Sequence, residues 1–196
     1  LIELGEVRIQ GEVVDNPGID VATAGLVFEV EGETWVYRDK TYLALHKPVG
    51  VECTTDPRVP GNIVEFVGHP ERIYPIGRLD KDSEGLILLT NDGDIVNTVL
   101  RAENAHEKEY VVAVDRPLTP EFLHGMANGV PILDTVTNPC RVTQVGRNTF
   151  RIVLTQGLNR QIRRMCDYFD YTVRRLQRVR IMHIELGDLP VGRWRP

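Results

Sequence analysis

Apolar and polar residues fall into short alternating or clustered runs, and most of these runs predict strands rather than helices. Tyr42 to Lys47 alternates and reads as a strand stopped by Pro48 and Gly50. Arg72 to Ile76 reads as another, broken by Pro75. Leu86 to Leu89 with Thr90 has the character of a buried strand closed by the turn signal Asn91, Asp92, Gly93. Tyr110 to Val114 and Phe150 to Thr155 are further apolar strands, and Gly146 to Asn148 is a hairpin turn linking the latter to Arg141 to Val145. Pro131 to Cys140 is strand-like, and Tyr171 to Glu185 supplies one or two more strands. Such short links predict antiparallel neighbours.

Helical spacing is confined to three stretches. Ile95, Val96, Val99 and Leu100 recur at helical spacing behind Asp94, which reads as the cap. Thr119, Pro120 and Glu121 start a second helix, with Phe122, Leu123 and Met126 on its buried face and Gly129 at its end. The third begins after Gly157, where Ile162, Met165, Cys166 and Phe169 stand at i, i+3, i+4 and i+7 and fix the core face. At about 100° per residue, Arg160 and Arg164 fall on the opposite face. Arg163 falls at the edge of the apolar stripe, where an arginine can reach inward to a half-buried carboxylate while its stem stays packed.

The pattern predicts an α+β fold, a mixed and mainly antiparallel sheet with flanking helices, over residues 41–196. Residues 1–40 predict a separate small β-rich unit with Arg38 to Thr41 as the boundary. In that unit Gly5 closes a helix end, Gly11 turns between two strands, Asp15 to Gly18 is a turn, and Gly25 to Val30 and Thr34 to Tyr37 are strands.

Composition narrows the classes. The 196 residues suffice for a sizeable core. No apolar run approaches the roughly 18 residues of a membrane span, and no basic-then-apolar leader opens the chain, so a soluble cytoplasmic protein is expected. The first residue is Leu1 and not Met, as expected of a piece of a longer protein. Cys53, Cys140 and Cys166 lie far apart, and the five His residues show no paired spacing, so neither disulfides nor a metal are expected. Without a G-x-G-x-x-G or Walker-type loop, a nucleotide cofactor has no support. No apolar helix face is left over, which predicts a monomer.

The net charge of −5 hides a segregation. Residues 1–40 carry −6 and residues 41–140 carry −7, whereas residues 141–180 hold ten arginines and two acids, net +8. An arginine stripe of this kind suits a polyanion, through planar contacts to phosphate and stacking on bases. The alternative is an ion-paired face, with acids supplied by the other segments.

Gly77 to Leu86 (GRLDKDSEGL) sets Arg78, Asp80 and Asp82 between a β-rich approach and the apolar exit. Charges held between buried strands need a partner or a task. An Asp after a strand is also a common turn former or cap, so spacing alone leaves both readings open. The wording decides more: GRLDKDSEGL resembles the signature of the RsuA/RluB/RluE/RluF family of pseudouridine synthases. His106 to Tyr110 (HEKEY) resembles that family's second motif and Gln156 to Met165 (QGLNRQIRRM) its third, in the same order. The resemblance runs from about Tyr42 to about Trp194 and is nearest the RluF type. His46 to Gly50 (HKPVG) resembles the family's N-K-P-x-G, with His46 in place of Asn, and residues 1–40 resemble the C-terminal part of an S4-type RNA-binding module.

The resemblance implies isomerisation of uridine to pseudouridine in RNA without a cofactor: the base leaves C1′, turns, and rejoins through C5. It implies large-subunit ribosomal RNA as substrate, with a transfer RNA as a second candidate. Asp80 would attack the sugar or remove a sugar proton, kept ionised by Arg163, and Tyr110 would pack against the uracil and be a candidate for late proton removal. Arg78 would help fill the space of the flipped nucleotide. Lys47, Lys81, Lys108, Asn159, Arg160, Gln161, Arg164, Arg174 and Arg175 are the expected RNA contacts. One rival is a non-catalytic RNA-binding factor with the same basic surface. A second pairs Asp80 with Asp82 or Glu84 for glycoside hydrolysis. Its weakness is that the only tryptophans, Trp35 and Trp194, lie near the two ends, and the stripe gives a neutral polysaccharide nothing to contact.

Overall fold

The computed structural model describes residues 1–23, 25–101 and 106–196, with residues 100 and 101 described by their backbone only. The chain separates into two units, Leu1–Thr41 and Tyr42–Pro196. In the first, a 3-10 turn (Ile2–Leu4) is closed by Gly5 in the left-handed region, φ 70°. Strands β1 (Val7–Ile9), β2 (Glu12–Val13), β3 (Val27–Val30) and β4 (Glu33–Val36) form an antiparallel sheet in the order β2-β1-β3-β4.

The second unit follows the predicted mixture of strands and helices. Its elements are β5 (Tyr42–Lys47), α1 (Ile63–Val67), β6 (Tyr74–Ile76), β7 (Glu84–Thr90), α2 (Gly93–Arg101), β8 (Lys108–Val114) and α3 (Pro120–Ala127). Then come β9 (Pro131–Ile132), β10 (Thr135–Val136), β11 (Arg141–Gln144), β12 (Thr149–Leu154), α4 (Gln161–Tyr168), β13 (Val173–Ile181), β14 (Ile184–Glu185) and β15 (Trp194–Arg195). The main sheet runs β11-β12-β8-β13-β7-β5-β15, with β6 also on β7 and β14 also on β13. Its described pairings are antiparallel except that of β7 with β13, which sets Glu84 beside Gln177 and Gly85 beside Arg178. Gly85 is required there. At φ 118° an added Cβ would lie 2.2 Å from the Arg178 carbonyl oxygen.

Four local expectations change. Asn62, whose side chain accepts from Glu65 N at 3.0 Å, caps the short helix α1, which is too brief to show a periodicity. The α2 helix starts at Gly93, because Asp92 already accepts from Val96 N; Asp94 therefore sits in the first turn and is not the cap. The side chain of Leu100 and residue Ala105 lie outside the described residues. The strand expected over Pro131 to Cys140 is broken by Leu133 and Asp134, both at positive φ, into the β9-β10 hairpin. Helix α4 begins at Gln161, not directly after Gly157, because Arg160 is left-handed at φ 48°.

Two larger apolar cores lie beside the site, with a smaller one of Ala44, Leu86, Ile181 and Leu186. One gathers Phe122, Met126, Phe150, Ile152 and Met165 between α3, α4 and strands β8 and β12. The other gathers Leu45, Ile63, Ile73, Leu79 and Ile87 around β5 and β7. Tyr110 packs against both. Leu79 is 7% exposed and anchors the GRLD loop in the second core, so its neighbours Arg78 and Asp80 face outward.

Candidate active site

A cleft of about 880 Å³ opens over the GRLD loop. Its walls come from that loop, from residues 52–55, from Lys108 and Tyr110 on β8, and from residues 156–163 leading into α4. The fold thereby brings together Arg78, Asp80, Lys81, Lys108, Tyr110, Asn159, Arg160, Gln161 and Arg163. Lys47, Arg164, Arg174 and Arg175 do not line it.

The loop's backbone is fastened from three sides. Ser83 N donates to the Asp80 carbonyl at 3.0 Å, closing a tight turn around Asp80. From β5, Lys47 Nζ donates to the carbonyls of Pro48 (2.8 Å) and Lys81 (3.3 Å), and Gly50 N also reaches the Lys81 carbonyl at 2.7 Å. From β13, Arg178 Nε donates to the Leu86 carbonyl at 2.8 Å and Nη1 to the Arg78 carbonyl at 3.3 Å, so one side chain spans both arms of the loop. Burial pulls the Lys47 ammonium below the ordinary lysine value.

Side-chain charge on the loop is arranged around Asp82. Arg160 grips Asp82 through two parallel bonds of 3.0 Å and comes within 3.7 Å of Asp80. Arg163 donates from Nη2 to the Asp82 carbonyl (3.1 Å) and the Ser83 hydroxyl (3.0 Å), with Nη1 3.6 Å from the Asp82 carboxylate. The Arg160 hydrogen bonds, together with the charges of both arginines, hold the Asp82 carboxyl below the usual carboxylate range. Asp80 is about one-third exposed and open to the cleft.

Two expectations therefore need correction. Among the described residues the cation within ion-pair distance of Asp80 is Arg160, and Arg163 serves Asp82 and Ser83. Lys47 is fully buried and cannot lie against RNA; its amine is spent on loop carbonyls. Of the ten arginines of the stripe, Arg141, Arg151, Arg160, Arg163, Arg175 and Arg180 pair with carboxylates, so the ion-paired reading accounts for much of it. Arg175 is taken by Glu84, Arg164 holds the Asn159 carbonyl and side chain, and Arg174 is exposed. Among the described residues no group of three or more His, Cys, Asp and Glu is placed to hold a metal ion, and Cys53, Cys140 and Cys166 are free thiols.

Sequence reasoning missed Arg178 as a loop residue and Asp82 as the hub. The available signal was that an arginine at a position alternating with buried Leu176 must find acceptors.

Comparison with known proteins gives the family and the fold. The sequence model described as RNA pseudouridylate synthase matches residues 41–168. The chain is 54% identical over 197 residues to the dual-specificity RNA pseudouridine synthase RluF of Salmonella typhi, spanning 99% of this chain and 68% of that protein. It is 33% identical over 200 residues to ribosomal large subunit pseudouridine synthase B of Bacillus subtilis, spanning 98% and 82%. A crystal structure of a pseudouridylate synthase aligns with a TM-score of 0.74 at 26% identity, over 100% of this chain and 86% of that one.

Proposed function

The chain belongs to the RNA pseudouridylate synthase family and is an RNA-modifying isomerase, and from that premise we propose that it converts a specific uridine of large-subunit ribosomal RNA, with Asp80 as the group that starts the reaction. The observation that carries the reading is the single cleft in which the Asp80 carboxylate, the Tyr110 ring and a rim of arginine, lysine and amide donors converge. Asp80 either attacks C1′, displacing the uracil, or removes a sugar proton to release it as a glycal; both routes start from an ionised carboxylate. Arg160 stands 3.7 Å away, within ion-pair distance of that carboxylate.

Tyr110 is wedged between two cores, so its ring is a fixed surface for the detached base while it turns. Arg78, exposed beside Asp80, fills the space the nucleotide leaves in the RNA stack. Arg163 acts through Asp82 and Ser83, fixing the loop that carries Asp80. Lys81, Lys108, Asn159, Arg160 and Gln161 contact the RNA from the cleft, with Arg164 and Arg174 outside it. The large-subunit assignment is supported by the Bacillus subtilis relative, and a transfer RNA is the second candidate. The protein acts as a cytoplasmic monomer, and residues 1–40 are the partial S4-like module. No helix among the described residues is long and apolar enough to cross a membrane.

The test is tritium release from C5-labelled, deproteinised large-subunit RNA lacking the modification, comparing the wild type with Asp80→Asn. Release that vanishes in the variant while RNA binding persists is expected. Undiminished release from Asp80→Asn overturns the role of the aspartate.

A further inference from the structure

Arg160 is held in a conformation that its sequence does not favour. It lies in the left-handed region at φ 48° and ψ 38°, which a residue with a Cβ adopts at a cost, and such backbone clusters at working sites. The consequence is directional: the side chain turns back over the cleft and meets Asp82 with both terminal nitrogens at 3.0 Å. That pair is 40% and 49% exposed, so water and salt compete for it and little is lost when it opens.

The same corner is rich in donors. Helix α4 starts at Gln161 with no side-chain cap and no acid in its first turn. Gln161 is 5% exposed, and its Nε2, like Arg163 Nε, is shielded from solvent with no acceptor in the structure. Both residues line the cleft. Uncommitted N–H groups, a bare helix start and a guanidinium in a breakable pair all call for an oxygen-rich anion.

We propose that this corner is a phosphate site that Asp82 occupies by proxy in the free protein: when RNA docks, Arg160 leaves Asp82 for the backbone phosphate next to the target uridine. Asp82 is then a positioning residue that parks Arg160, and the phosphate takes the place of its carboxylate on the Arg160 guanidinium. The exchange rests on the RNA substrate proposed above. It also accounts for the position of Asp82, two residues from Asp80: the same arginine that fixes the phosphate stays beside the reacting carboxylate.

The experiment is equilibrium binding of a large-subunit RNA stem-loop to the intact protein across about 50 to 200 mM salt, for wild type, Arg160→Gln, Arg160→Lys and Asp82→Asn. Losing one phosphate contact lowers the slope of log K against log salt by about 0.7 to 0.9 in Arg160→Gln. Arg160→Lys keeps the charge and restores most of the slope. Asp82→Asn, with Arg160 unparked, keeps the wild-type slope and binds about three- to tenfold more tightly. A merely structural Arg160 would lower the melting temperature and leave the slope alone. A steep wild-type response with an unchanged Arg160→Gln slope, or weaker binding by a folded Asp82→Asn, overturns the exchange. A flat wild-type response overturns the RNA reading and the exchange with it.

Discussion

Arg163 sends Nη2 to the Asp82 carbonyl and the Ser83 hydroxyl, at 3.1 and 3.0 Å, and leaves the Asp80 carboxylate to Arg160. The relationship changes what removal of Arg163 should cost. A buried Asp80–Arg163 pair would predict a loss of about 3 to 5 kcal/mol. The observed contacts are one backbone carbonyl, one hydroxyl and a half-exposed carboxylate, so Arg163→Leu is expected to cost about 1 to 3 kcal/mol. Urea unfolding checks this; turnover should fall much further than stability, because the loop beneath Asp80 loses its tie to α4.

Tyr110 separates packing from chemistry. Its ring touches both cores, so Tyr110→Ala should lose about 2 to 4 kcal/mol and Tyr110→Phe under about 1. If the hydroxyl removes the C5 proton, Tyr110→Phe keeps the wild-type melt and loses rapid release of tritium. A Phe variant with full turnover would leave the ring as a packing surface only.

Gly85→Ala should be among the most damaging single changes. The added methyl meets the Arg178 carbonyl oxygen at 2.2 Å, and the strand would have to leave φ 118°. A loss above about 3 kcal/mol, or failure to fold, is expected in denaturant unfolding. A soluble variant of wild-type stability would show that β7 and β13 can slide apart.

Lys47→Met should uncouple stability from activity. Methionine fills similar space without the cost of a buried ammonium, so stability should shift by no more than about 2 kcal/mol in either direction. The Pro48 carbonyl loses its lysine donor, and the Lys81 carbonyl keeps only Gly50 N. Turnover measured by tritium release should drop at least about tenfold while RNA affinity holds.

Acid should loosen the loop before it unfolds the protein. The depressed Asp82 pKa means its stabilising contribution is complete above the ordinary aspartate value of about 3.9 and is lost as pH falls through the lower native value. The group is half exposed, so the effect stays below about 1 kcal/mol. Melts from about pH 5 down to about pH 2 should show a shallower acid limb in Asp82→Asn than in wild type.

The sequence revealed which residues share the cleft more readily than which partners they take. The three motifs marked Asp80, Tyr110 and Arg163, and the 3.6-residue period set Arg163 at the edge of its helix face, where it is 15% exposed. Its partner was not legible. That choice depends on how the turn after Asp80 meets α4, a matter of tertiary register and not of local spacing. Lys47 was misread because lysines are rarely interior, and nothing local announces that two loop carbonyls await one. The arginine stripe was legible as composition, but pairing with Glu84, Glu107 and Glu109 requires strands brought together only by the sheet.

The pairing of Glu84 with Gln177 joins positions 93 residues apart. Strands β5 and β7 are closer in sequence and pair along their length, so that pairing can form while the chain is still being made. Arg160 and Arg163 arrive much later and Arg178 later still, so the Asp80 loop lacks its full set of clamps until β13 is in place. A growing chain therefore carries its GRLD segment long before it carries a working site. In a refolding experiment, catalytic recovery should track the slow docking of β13 rather than the early appearance of β-structure, so the timing of activity is set by a strand and not by the motif it completes.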